Sequence, residues 1–371
     1  QMQYELGYFA EASIIYEKAL SRSKSLQDNA GVAESLRKQG QLLRKNKDYE
    51  AALAKFGEAL SISTVMNDKS SMAKTFNSIA ILNYKTDDKD NALKNWLHAL
   101  AIVEEFGDKP KISKYLNNIG IWYWQDYDYS KSIEYYQKSL LIKRELGDVR
   151  NIAKTLNNLG EVYFAMGDYP NSTTQFDESI EIKEKLQDNK GLNASLYNRG
   201  ETYFYSFEYN RAIDDFRRTI RMIEDEESDH ERYRYIGMSH FYLSNFDSCN
   251  FYLKKSDEFF ANDYRKRLAI LPYLVISYIK TGDNTLSNTA LKNFRDIISD
   301  YDPPDKDYII TNWAAYKALS AVNEKSEAAE YLENAYFMLK SKSKDIKNKQ
   351  DRKKYLSAKL HENIMNEWSK R

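Results

Sequence analysis

The sequence predicts an all-α protein, an α-solenoid of stacked antiparallel helix pairs, and three observations predict it. A motif recurs every 40 residues: Leu116-x-x-Ile119-Gly120-x-x-Tyr123, Leu156-x-x-Leu159-Gly160-x-x-Tyr163 and Leu196-x-x-Arg199-Gly200-x-x-Tyr203. A unit of that length repeating in register marks a stacked architecture, in which each unit buries its apolar face only against its neighbours. A small residue follows each of these glycines after 12 positions (Ser132, Ser172, Ala212), an aromatic 4 later (Tyr136, Phe176, Phe216), and a second small residue 3 after that (Ser139, Ser179, Thr219). Breakers are scarce: 13 Gly and 5 Pro in 371 residues, with 42% hydrophobic and 30% charged, leave long helices with wet outer faces.

The pattern fixes the elements in order. Backwards from Gly120 it continues as Ala80 with Ala92, Trp96 and Ala99, then Gly40 with Ala52, Phe56 and Ala59, then Ala12, Tyr16 and Ala19. First helices are expected over 29–45, 69–85, 109–125, 149–166 and 189–206, and second helices over 8–26, 48–66, 88–106, 128–146, 169–186 and 208–226. Asp28, Asp68, Asp108, Asp148 and Asp188 stand in the turns between units, where a carboxylate caps the next helix by accepting from its free N–H groups. After Arg221 the register slips: Gly237 follows Gly200 by 37 residues, and Glu224, Asp225, Glu226, Glu227 and Asp229 form an acidic cluster that reads as a solvated turn, a hinge or a contact for a basic partner. Less regular helix pairs then continue past Pro272, which kinks a helix or starts one, past Pro303-Pro304, and through Ala328 to Tyr336. Three segments are expected: a regular array over 1–227, irregular pairs over 228–349, and a C-terminal capping helix over 350–371 with Tyr355, Leu356, Leu360, Ile364, Met365 and Trp368 on its apolar face. In this register the first residues are the tail of a helix, so the chain, opening on Gln1, reads as a piece of a longer protein.

The repeated residues resemble those of the tetratricopeptide repeat family, whose first helix carries Trp-x2-Leu-Gly-x2-Tyr and whose second carries Ala-x3-Phe. The usual unit has about 34 residues, so each one here is longer by roughly one helical turn. The family's proline near the end of the unit is absent, and Thr64, Glu104, Arg144 and Glu184 stand in its place. Repeats of this length are similar to those of kinesin light chains, spindle-orientation adaptors and many bacterial signalling proteins. The resemblance implies a right-handed superhelix whose first helices line a concave wall. The closing Leu360-x3-Ile364-x3-Trp368 resembles the ends of arrays attached to bacterial kinases and nucleotide cyclases.

Composition excludes several function classes. Acidic and basic residues number 55 each, so no global charge points to nucleic acid or membrane. The basic stretch Lys340 to Lys354 is a solvated helix junction or, least favoured, a phosphate contact, because no recognition motif accompanies it. The longest apolar run, Leu268 to Ile279, is too short to span a bilayer. A single cysteine, Cys249, forms no internal disulfide; this suits the cytoplasm, with the periplasm as the alternative. His98, His230, His240 and His361 are scattered and none belongs to a metal-spaced pair, so neither a metal nor another cofactor is expected. No nucleophile elbow or phosphate loop occurs, and the chain reads as non-enzymatic. Thirty tyrosines are expected mostly between helices.

What the resemblance implies about function lies on the first helices. Register positions six, three and two before the glycine, and one after it, face the groove in the family. They give Lys74, Lys114 and Lys154; Asn77, Asn117 and Asn157; Asn118, Asn158 and Asn198; and Glu161, with Trp124 further along the same helices as either wall or core. Packed helices lie about 8–10 Å apart and an extended chain rises about 3.3 Å per residue, so one asparagine meets such a ligand about every third residue. Each amide both donates and accepts, which suits a peptide backbone, and the lysines favour acidic side chains. The same asparagines also read as structural links between long helices, or as the polar rim of a small-molecule pocket. The expected function is a protein-interaction scaffold holding an extended, acidic partner segment. The alternative is the regulatory or sensory arm of a larger bacterial signalling protein, whose partner is another domain of its own chain.

Overall fold

The computed structural model describes residues 2–222, 225–300 and 308–371. Among these, every regular element is an α-helix. Glu224 of the acidic cluster and the pair Pro303-Pro304 lie outside the described residues.

The first eleven helices run at a period of 20 residues: α1 Met2–Ser25, α2 Asn29–Lys45, α3 Tyr49–Val65, α4 Lys69–Lys85, α5 Lys89–Glu105, α6 Lys109–Gln125, α7 Tyr129–Glu145, α8 Val149–Ala165, α9 Tyr169–Lys185, α10 Asn189–Tyr205 and α11 Tyr209–Met222. Turns within a unit are built like turns between units. Each has a left-handed residue at the same place: Gln27, Lys47, Asn67, Asp87, Gly107, Tyr127, Gly147, Gly167, Gln187 and Phe207, with φ from 54° to 77°. The residue after it begins the next helix. Asp28, Asp48, Asp68, Asp88, Asp108 and Asp188 each accept from the backbone N–H three residues on, at 3.0–3.4 Å. A left-handed residue ends one helix and an aspartate starts the next, so the chain reverses in three residues.

Helices pack through the small residues. A methyl placed on Gly40, Gly120, Gly160 or Gly200 would fall 2.6–3.0 Å from a ring carbon of Phe56, Tyr136, Phe176 or Phe216. The small residue 12 positions on adds a hydrogen bond: Ser132 and Ser172 donate to the carbonyls of Gly120 and Gly160 at 2.8 and 2.9 Å. Ser139 and Ser179, on the same second helices, donate to the carbonyls of Ser113 and Ala153 on the paired first helices. These hydroxyls satisfy themselves in a dry seam, so they cost little to bury.

The remainder is less regular: α12 Glu226–Tyr242, α13 Phe246–Phe259, α14 Tyr264–Leu268, α15 Leu271–Thr281, α16 Asn284–Asp300, α17 Tyr308–Ala321, α18 Lys325–Asp345, α19 Lys349–Ser357 and α20 Lys359–Trp368. Pro272 starts α15 rather than kinking a helix. Of the described acids of the cluster, Asp225 directly precedes α12, and Glu226, Glu227 and Asp229 sit in its first turn, where carboxylates favour the helix dipole; Glu227 pairs with Lys266 at 3.1 Å.

The chain forms two compact units. One comprises Gln1–Asp126 and Lys131–Asp148, the other Tyr127–Ser130 and Val149–Arg371. In the second unit the C-terminal segment returns to early turns. Asp351 accepts from the backbone N–H of Ser130 at 2.9 Å and from its hydroxyl at 2.8 Å, and the Lys347 N–H donates to the Tyr127 carbonyl at 3.3 Å. Lys354 donates to Asp168 at 2.6 Å, and Lys359 lies 4.4 Å above the Phe207 ring. Asp168 makes no side-chain cap bond to a backbone N–H of α9; it accepts instead from Asn171 Nδ2 at 2.9 Å and from Lys354. The single amphipathic helix expected from Tyr355 to Trp368 is broken at Ala358, which turns to extended backbone (φ −56°, ψ 134°) where it meets Gly167. Beyond the break, α20 buries Leu360 and Ile364, and Trp368 stacks on Tyr336 of α18, with ring centroids 4.9 Å apart.

Candidate functional site

The residues named from register lie on the first helices of each pair, and they divide between the two units. In the first unit Asn77 is buried and committed: its amide oxygen accepts from Trp96 Nε1 at 3.2 Å and from Asn118 Nδ2 at 3.0 Å. The Asn117 oxygen accepts from the buried ammonium of Lys143 at 3.2 Å. Asn118, on a half-buried face, keeps its own amide oxygen without a donor among the described residues. Lys74 and Trp124 are half-buried, and Lys114 is exposed at its tip. Partial desolvation lowers the Lys114 pKa, and the neighbouring positive charges of Arg37 and Lys38 lower it further. The positive charge of Lys114 on α6 is thus repelled by Arg37 and Lys38 on α2, with Glu34 paired to the latter two.

In the second unit Asn157 is committed on both sides. Its oxygen accepts from Ser195 at 2.7 Å and its nitrogen donates to Glu161 at 2.7 Å. Asn198 donates to the same Glu161 oxygen at 3.0 Å. Burial raises the Glu161 pKa, against the lowering effect of those two hydrogen bonds and of the Lys183 charge. Lys183 is itself buried, donates to Ser195 at 2.6 Å, and is pulled down to about 8 by desolvation. Asn158 is half-buried with its amide unpartnered among the described residues, and Lys154 is exposed beside it.

The register therefore separates into two columns. Asparagines three before the glycine (77, 117, 157) face inward and bind the packing. Those two before it (118, 158, 198) keep hydrogen-bonding capacity toward the open face. The residue one after the glycine makes lateral links between successive first helices, as Gln41 to Ser78 at 3.2 Å and Glu161 to Asn198. Sequence reasoning missed the supporting residues Lys143, Lys183 and Ser195. Their signal was present, since Lys143 and Lys183 hold one position in the 40-residue register. It also missed Arg37 and Lys38, whose charges act on Lys114.

Cys249 is a packing residue. It stands 12 positions after Gly237, with Leu253 and Ser256 completing the repeat, and it is fully buried with its thiol pushed up to about 12. Among the described residues no group of three His, Cys, Asp or Glu could hold a metal, and no helix is long and apolar enough to cross a membrane.

A family model described as tetratricopeptide repeat matches residues 71–145 and 151–225. No curated protein sequence matches the chain. Among solved structures, the chain is similar to aspartyl phosphate phosphatase F from Bacillus subtilis, with 14% identity, 89% of each chain covered and a TM-score of 0.59. It is also similar to a signal transduction ATPase with numerous domains and a tetratricopeptide repeat sensor from Pyrococcus horikoshii, with 14% identity, a TM-score of 0.65, and 86% of this chain against 46% of that one. BtubC (BKLC) from P. vanneervenii matches at 20% identity over 58% of this chain and 90% of its own, with a TM-score of 0.54. At these identities the likeness is one of fold.

Proposed function

Because the chain belongs to the tetratricopeptide repeat family, we propose that it is a non-enzymatic scaffold that holds an extended, acidic segment of a protein partner against its first-helix face. The observation that carries this reading is the crowding of Lys114 by Arg37 and Lys38 beside the open amide of Asn118. Like charges held together lose part of that repulsion when an anionic partner arrives, and the amide oxygen accepts from a peptide N–H. Lys154 and Asn158 offer the same pair of groups in the second unit. Asn77, Asn117 and Asn157 support the face from behind, and Lys74, Trp124, Glu161 and Asn198 border it.

A second reading, the sensory arm of a larger signalling protein, draws support from the Pyrococcus horikoshii ATPase, where the matching portion is one part of a longer chain. In that case the acidic segment belongs to a neighbouring domain.

The test is affinity capture from the source cell's lysate with the wild type and with Lys114→Glu, whose exposed side chain leaves folding intact. A partner captured by the wild type, released by moderate salt and lost by the variant supports the proposal. Equal capture by both moves the interface off this face and overturns it.

A further inference from the structure

The second unit contains a cavity of about 910 Å³ that none of the register positions line. Phe207, Tyr209, Tyr242, Tyr273 and Trp313 supply a largely aromatic wall. Three of those rings are stacked: Tyr209 on Tyr242 at 4.8 Å and 7°, and Phe207 near-parallel to both. The Tyr242 and Tyr273 hydroxyls share a hydrogen bond at 3.2 Å, which leaves the wall self-satisfied and apolar in character. The opposite side is α20, which presents Leu360, Asn363, Asn366, Glu367 and Lys370.

Three features of the polar rim point to a ligand. Lys317 stands exposed on the cavity rim with its ammonium 4.6 Å above Trp313; its charge acts on Glu367, but among the described residues no carboxylate forms an ion pair with it. Glu367 is already committed, accepting from Tyr316 at 2.7 Å and from Lys370 at 2.8 Å. Asn363 and Asn366, three apart on α20, have side-chain amides unpartnered among the described residues. The rim is thus net positive with free donors, over an apolar body of ligand size, since small-molecule pockets run about 300–1,000 Å³.

We propose that this cavity binds a small monocarboxylic acid with an aromatic or acyl body, the body against the ring wall and the carboxylate at Lys317 and the α20 amides. A finite cavity covered by α20 suits a small molecule better than a through-running chain. An anionic head is selected over a neutral one because a carboxylate makes a charge-assisted hydrogen bond with the Lys317 ammonium.

Calorimetric titration of the full chain with decanoate and 4-phenylbutyrate, against decanol and 4-phenylbutanol, tests the assignment. The acids are expected to bind at one saturable site, about tenfold or more tighter than the alcohols, and Lys317→Gln is expected to remove that advantage. Asn363→Trp, an exposed position that fills the cavity from the α20 side, is expected to abolish binding while the circular dichroism melt stays unchanged. No saturation by either acid up to about 1 mM overturns the proposal. Equal binding of acids and alcohols, or acid binding indifferent to Asn363→Trp, overturns it as well. Binding of a peptide with a C-terminal Phe carboxylate where both small acids fail reassigns the cavity to a chain terminus.

Discussion

Gly160 has no room for a methyl group. Its added Cβ would stand 2.6 Å from a Phe176 ring carbon, and Phe176 is fully buried, so the ring has nowhere to move. Gly160→Ala is therefore expected to lower stability by about 1–3 kcal/mol, read as a fall in urea midpoint at unchanged slope. Ala80 holds the same register position opposite Trp96, so the site accepts a methyl only where its partner ring is placed differently. Lys183 gives a prediction with a pH signature. Its folded pKa is about 8 against an ordinary 10.5, because burial outweighs the attraction of Asp188 and Glu161, with Lys154 adding repulsion. Between those values the unfolded chain binds a proton that the folded chain does not, so stability contributed at this site rises with pH. Urea midpoints of the wild type and Lys183→Met, compared from pH 6 to about 10.5, should differ by a constant below about 8 and shift in the wild type's favour above it. A difference that stays flat throughout would place the ammonium in a solvated setting.

At the scale of the element, the C-terminal segment is held to the second unit by a few polar contacts. Asp351 spends both carboxylate oxygens on Ser130, occupying a helix start from outside that helix. Asp168 is caught by Lys354; burial alone would raise its pKa, but the hydrogen bonds from Lys354 and Asn171 overrule it and hold the carboxyl low. Asp351→Ala is expected to leave the repeat helices intact while residues 346–358 lose amide protection, measured by hydrogen exchange. Unchanged exchange there would show that Leu360 and Ile364 alone keep the segment docked. This docking was not legible in the sequence, and the reason is physical. A 40-residue period reports contacts between neighbouring units, whereas Ser130 and Asp351 lie 221 positions apart and obey no repeat. The helices from α2 to α10 were legible almost to the residue, because an aspartate after each left-handed residue marks their starts. The candidate site was legible in part: spacing placed the asparagines on one face but could not tell which column turned inward, since that depends on Trp96, Lys143 and Ser195 reaching in from neighbouring helices.

For the whole molecule, the repeat logic explains both tolerance and limits. Each regular unit touches only its neighbours, so the stability of such an array is a sum of unit and interface contributions. The irregular helices after Met222 keep the same packing rule with other residues, Leu253 against Gly237 in place of an aromatic, and Ser287 donating to the Val275 carbonyl across 12 positions. The hydrogen bond from Ser130 to Asp351 departs from that neighbour-only rule, and it sets an order of events. Helix pairs can form one after another while a chain is still emerging, since their partners are always close in sequence. α20 has its place on α18, close in sequence, but α19 has no docking place until the turns at Ser130 and Asp168 already stand in their finished geometry. The α19 segment is thus seated only by a second unit whose early turns are already in place.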